Sequence, residues 1–74
     1  MELYKNISED SGVRSFEIGP DFIEVQFHDG GTYLYTDQSA GRDNVEQMKR
    51  LASAGKGLST FISQHPLVRN GYVR

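Results

Sequence analysis

The 74-residue sequence contains no cysteine. Disulfide stapling, thiolate zinc sites and thiol catalysis are therefore excluded. The absence fits a reducing compartment, and a cytoplasmic location is expected. Histidine occurs only at His28 and His65, and no spacing such as HExxH is present, so no metal site and no cofactor are expected. No apolar stretch approaches the roughly 20 residues that a membrane span needs. Met1–Lys5 lacks a basic segment followed by an apolar run, so neither a signal peptide nor membrane attachment is expected. The length allows one domain, close to the lower limit for a self-supporting core.

What is present is organised around Phe22–Thr36, FIEVQFHDGGTYLYT. Ile23, Val25 and Phe27 alternate with Glu24, Gln26 and His28, which sorts apolar and polar side chains onto opposite faces of a strand. Asp29-Gly30-Gly31 is a turn signal, and Thr32–Thr36 supplies β-branched and aromatic residues. Two registers compete. A three-residue loop over Asp29–Gly31 pairs Phe27 with Tyr33 and Val25 with Tyr35, sends both tyrosines to the core face and makes Gly31 the left-handed bulge residue. A two-residue loop over Gly30-Gly31 pairs Phe27 with Leu34 and turns both tyrosines outward, as an aromatic platform of the kind that stacks bases. The three-residue loop is favoured because it buries two large rings.

Residues 1–12 are expected to form a flexible N-terminal segment, in which Leu3, Tyr4 and Ile7 either pack on the body or make a short edge strand. A single α+β domain is expected over residues 13–74. Val13–Ile18 reads as a strand with Phe16 and Ile18 on one face, followed by a turn at Gly19-Pro20-Asp21-Phe22. That turn pairs Ile18 with Ile23 and Phe16 with Val25, and sets Glu17 opposite Glu24. Asp37–Gly41 reads as a polar loop. Val45, Met48, Leu51 and Ala52 then recur at helical spacing, with Glu46 and Arg50 placed for an i,i+4 pair. Either Ser39 or Asp43 caps the helix start, Asp43 with Glu46 resembling a capping box, and Gly55 sits at the left-handed stop. A second helix is expected over about Leu58–Gln64, with Leu58, Phe61 and Ile62 inward, ending before Pro66. Leu67–Arg74 is either a closing strand or a loose tail.

The pattern predicts a three-stranded antiparallel β-meander with two C-terminal helices packed on one face. The expected core is Phe16, Ile18, Ile23, Val25, Phe27, Tyr33, Tyr35, Val45, Met48, Leu51, Ala52, Leu58, Phe61 and Ile62. Val13 and Leu34 are expected on the outer face.

Little here reads as catalysis. Gly55-Lys56-Gly57 lacks the remainder of a phosphate-binding loop, and its glycines are helix punctuation. Glu17 and Glu24 have no evident third partner, and the serines have no evident base. Charge is uneven: residues 1–41 hold two basic and eight acidic side chains, a net −6, whereas residues 42–74 hold six basic and two acidic, a net +4. Arg42, Lys49, Arg50, Lys56, Arg69 and Arg74 are candidates for contacting RNA or another polyanion, with Tyr72 stacking on a base. The competing reading is a protein partner docked on a sheet edge or on the outer face.

Ser15, Ile18, Gly19, Asp21, Ile23, Val25 and Phe27 form an SxxIGxDxIxVxF pattern, followed by YxY at Tyr33 and Tyr35 and an aromatic-bearing helix with Phe61 and Ile62 after Lys56-Gly57. Over about Ser15–Tyr72 the chain resembles the KTSC family, a small domain found at the C-terminus of some lysyl-tRNA synthetases. Members often carry Val-Pro after the YxY, where this chain has Thr36-Asp37-Gln38-Ser39. The Arg/His-rich segment frequent after their last helix is reduced here to His65, Arg69 and Arg74. The resemblance implies a small α+β domain that stands alone or is appended to other proteins, and its synthetase association points toward RNA. It supplies no catalytic residues.

Overall fold

The computed structural model describes residues 2–5, 12–28 and 30–73. The fold is α+β. Four antiparallel strands, β1 (Glu2–Leu3), β2 (Val13–Ile18), β3 (Phe22–Phe27) and β4 (Thr32–Thr36), lie in sequence order as a meander. The helices are α1 (Asp37–Ala40), α2 (Arg42–Ala54), α3 (Leu58–Gln64) and α4 (Pro66–Arg69). The expected counts of three strands and two helices are thus each too low. The additional elements are all short, from two to four residues, and too brief to set up a readable period.

The alternation in β3 dictates the core. Ile23 and Val25 are buried and share one cluster with Phe16, Tyr35, Val45, Met48, Ala52, Leu58, Ile62 and Val68. Phe27, Tyr33, Leu51 and Phe61 pack against that cluster while partly exposed. The β2–β3 register is the expected one, with Ile18 opposite Ile23, Phe16 opposite Val25 and Glu17 opposite Glu24. Ile18 is nevertheless 41% exposed and not core. It lies beyond the last β1–β2 pair, Glu2 with Phe16, at the turn end of its strand. Val13 departs in the opposite sense. A bulge between Val13 and Ser15 inserts one extra residue, which resets the alternation and turns Val13 inward to complete burial rather than to the outer face. Ser15 is buried, and its hydroxyl donates to Gln26 Oε1 at 2.8 Å.

The β3–β4 hairpin keeps a three-residue loop but shifts it by one position. Val25 faces Tyr33 and Ile23 faces Tyr35. The Phe27 amide donates to the Gly31 carbonyl at 2.8 Å, and the Gly30 amide to the Phe27 carbonyl at 3.0 Å. The loop is thus residues 28–30, and Gly30, at φ 95°, takes the left-handed position expected of Gly31. Moving the pairing by two residues preserves which side chains share a face, so both tyrosines still join Ile23 and Val25.

Asp37–Ala40 is helical rather than a loop because Thr36 and Ser39 cap it reciprocally. The Ser39 amide donates to Thr36 Oγ1 at 3.0 Å, and the Thr36 amide donates to Ser39 Oγ at 3.0 Å. Ser39 therefore belongs to α1. The start of α2 falls at Gly41 with no side-chain cap, and Asp43 is left in its first turn. Gly55 ends α2 in the left-handed conformation, as its spacing predicts. Glu46 pairs with Lys49 at 2.9 Å, three residues on, in place of the expected Arg50. Lys49 Nζ also donates to the Pro20 carbonyl at 3.2 Å, which draws its ammonium over the β2–β3 turn and into reach of Glu46. Arg50 donates instead to Gln47 at 3.4 Å.

Both ends of the described chain meet the body. In the segment expected to be flexible, Glu2 and Leu3 pair with β2, and Tyr4 is buried with its ring edge-on to Phe16 at 6.5 Å. The Tyr4 hydroxyl accepts from the Leu58 amide at 3.2 Å, at the first turn of α3, whose N-cap Gly57 offers no side chain. Ile7 lies outside the described residues. Beyond α4, Tyr72 makes one antiparallel bridge with Tyr35, and the Val73 amide donates to the Leu34 carbonyl at 2.7 Å. Among the described residues no helix is long and apolar enough to cross a membrane.

Candidate functional site

The Tyr72 bridge closes one side of a groove of about 220 Å³. The hairpin contributes Phe27, Tyr33 and Tyr35, α3 contributes Ile62, α4 contributes Arg69, and the tail contributes Tyr72. The aromatic wall is continuous. Phe27 and Tyr33 meet edge-to-face at 5.5 Å and 65°, and Tyr33 and Tyr72 at 4.9 Å and 62°. Such tilted contacts fix ring positions through the ring quadrupoles. Arg69 is the only charged side chain among the described residues that line the groove.

Local sequence explains this assembly. Tyr33 and Tyr35 come to the core face with Val25 and Ile23, but β4 is the last strand of the sheet, and Tyr33 stays partly exposed. Pro66 stops α3 and opens α4 as its first residue, so the chain turns after His65. The Nδ1 of His65, which must carry the proton to donate, bonds the Phe61 carbonyl at 2.7 Å, and its ring stacks on Phe61 at 4.0 Å. Gly71 then passes buried against the backbone, and Tyr72 reaches β4.

Burial pushes the Tyr35 phenol up to about 12, with Tyr33 and Tyr72 adding to the rise. The groove therefore keeps a neutral Tyr35 hydroxyl, able to donate and to accept, throughout the neutral range. The same shift links to stability. The folded state holds the Tyr35 proton after the unfolded chain, at about 10, has released it. The stabilisation is complete below pH 10 and lost as pH rises toward 12. A loss on the order of 2 kcal/mol is expected across that window. Urea melts at pH 9 and pH 11 should show more than half of it, and Tyr35→Phe should flatten the difference. An equally steep loss in the variant would assign the effect elsewhere.

The candidate basic residues are spread over α2, the segment after it, α4 and the tail. Arg42, Lys49 and Arg50 lie at helical spacing around Glu46, whose carboxyl is held below its ordinary range by the hydrogen bond and charge of Lys49, with Arg42 and Arg50 assisting. Lys56 lies past the other end of α2 from Arg42, about 20 Å along a helix of that length. Arg69 and Tyr72 both line the groove. Arg74 lies outside the described residues. The participation of Phe27 and Ile62 was not visible in the sequence, since both fit core patterning. Among the described residues no three His, Asp or Glu side chains gather as a metal site requires.

Comparison with protein-family models, with curated proteins and with solved structures finds no match to this chain, and the KTSC resemblance rests on its motif residues alone.

Proposed function

We propose that this chain is a small non-enzymatic module that binds single-stranded RNA, holding one unstacked base in the Tyr33–Tyr72 groove with Arg69 on a phosphate. The observation that supports this is the convergence of three tyrosines and one guanidinium on a single groove, with no carboxylate among the described residues that line it. Aromatic faces stack on any base, and a guanidinium meets phosphate with a planar fork of donors. The groove is smaller than the roughly 300–1,000 Å³ typical of drug-sized ligands, so one ring system is what it suits. The basic stripe on α2, with Glu46 at its centre, is a weaker anion site than its residue count suggests.

Titration with a short uridine oligomer at low and moderate salt tests the proposal. Resonances of Tyr33, Arg69 and Tyr72 should move. The log–log salt slope should be near about −0.7, the value for one phosphate contact on a single strand. No movement at these residues would end the reading, and a slope several times steeper would relocate binding to the α2 stripe.

A protein-interaction reading draws on a different observation. β1 covers only part of β2, and Leu3, 72% exposed, and Ile18 lie along that edge. Sedimentation of the isolated chain tests self-association there, and a single monomeric species across a wide concentration range would count against it.

A further inference from the structure

We infer that the groove is a site for a nucleoside monophosphate or a phosphate-bearing strand end, not for an internal run of RNA. The inference rests on the proposal that the groove holds a base, and it narrows the ligand to a terminal nucleotide carrying a phosphomonoester.

The first argument is extent. Sites that track a strand repeat their parts, with successive aromatic platforms and a basic channel along the backbone. Here Tyr33 and Tyr72 make one tilted ring pair, and Arg69 supplies one cation among the described lining residues. The groove, at about 220 Å³, is below the size of a drug-sized site.

The second argument is obstruction. The tail runs along the outer edge of β4, pinned by the Val73–Leu34 hydrogen bond at 2.7 Å and the Tyr72–Tyr35 bridge. A strand continuing past the base on that side meets polypeptide.

A phosphomonoester carries close to two negative charges near neutral pH and offers three oxygens to the guanidinium, against one charge on an internal diester. A terminal phosphate should therefore improve binding about tenfold, the scale of a charge-assisted hydrogen bond. The test compares uridine, uridine monophosphate, and a uridine oligomer bearing either a terminal phosphate or hydroxyl ends, using the full chain and Tyr33 and Tyr72 resonances. The monophosphate should bind within a few-fold of the phosphorylated oligomer, and both about tenfold tighter than the hydroxyl-ended one. Arg69→Gln, at an exposed position, should abolish that preference. Oligomers that bind equally whatever their ends, with no binding of the monophosphate, would overturn this inference and leave the RNA proposal standing. Failure of every ligand would overturn both.

Discussion

Tyr4→Ala is expected to cost about 3–5 kcal/mol, the range for deleting a buried aromatic ring. A 74-residue domain has a total stability of only about 4–11 kcal/mol, so the variant should lose a large part of it. The ring is buried and meets Phe16 edge-on, and its hydroxyl holds the first amide of α3. Tyr4→Phe separates the two contributions. It keeps the ring, leaves the Leu58 amide without its partner, and should cost about 1–2 kcal/mol. Urea midpoints of the two variants give the comparison. A Tyr4→Ala midpoint within error of the parent would mean that β1 and its tyrosine contribute nothing to the folded state.

Gly71→Ala is expected to displace the tail. A β-carbon at this position would lie 2.7 Å from the Ser39 carbonyl oxygen and 2.9 Å from the Ala40 α-carbon, and closer still to the Leu67 carbonyl oxygen. All three are backbone atoms, which cannot swing aside as a side chain would. The strain of such overpacking is about 1–3 kcal/mol. A single bridge and one hydrogen bond do not withstand that, so Tyr72 should leave Tyr33 while the sheet and α2 persist. The expected readouts are loss of the Tyr33–Tyr72 contact by NMR, a small fall in urea midpoint, and loss of at least about tenfold in uridine monophosphate affinity, the scale of one base–aromatic stacking contact. An intact ring contact in the variant would show that the backbone yields and that Gly71 is not required for closure.

Periodicity carried the central layer. Alternation in Phe22–Phe27 and the Pro20 turn gave the β2–β3 register pair by pair, and the Val45–Met48–Ala52 stripe gave α2 with its Gly55 stop. Facing survived even where register did not, because a shift of two residues leaves Tyr33 and Tyr35 on their side of the sheet. What escaped was local or long-range. The Arg14 bulge changes one count in β2, and the Thr36–Ser39 capping box is a pair of hydroxyls inside a stretch of loop-like composition. Tyr4 and Tyr72 are single aromatic residues near the chain ends, and no spacing rule announces that they dock.

The groove was half legible. Arg69 and Tyr72 stood out as candidates by residue type, and the tyrosine pair in β4 stood out as either buried or stacking. The structure dissolves that alternative: the two rings belong to the core face and line a groove, because the tail meets them at the last strand of the sheet.

The bond from Tyr4 to Leu58 spans 54 positions along the chain. Closing so long a loop is entropically unfavourable until other contacts have already brought its ends together. The first turn of α3 should therefore complete its bonding late, after the hairpins and α2 have assembled. The Leu58 amide becomes a natural gauge of closure, since its exchange with solvent follows the union of the two distant halves rather than the fraying of one short helix.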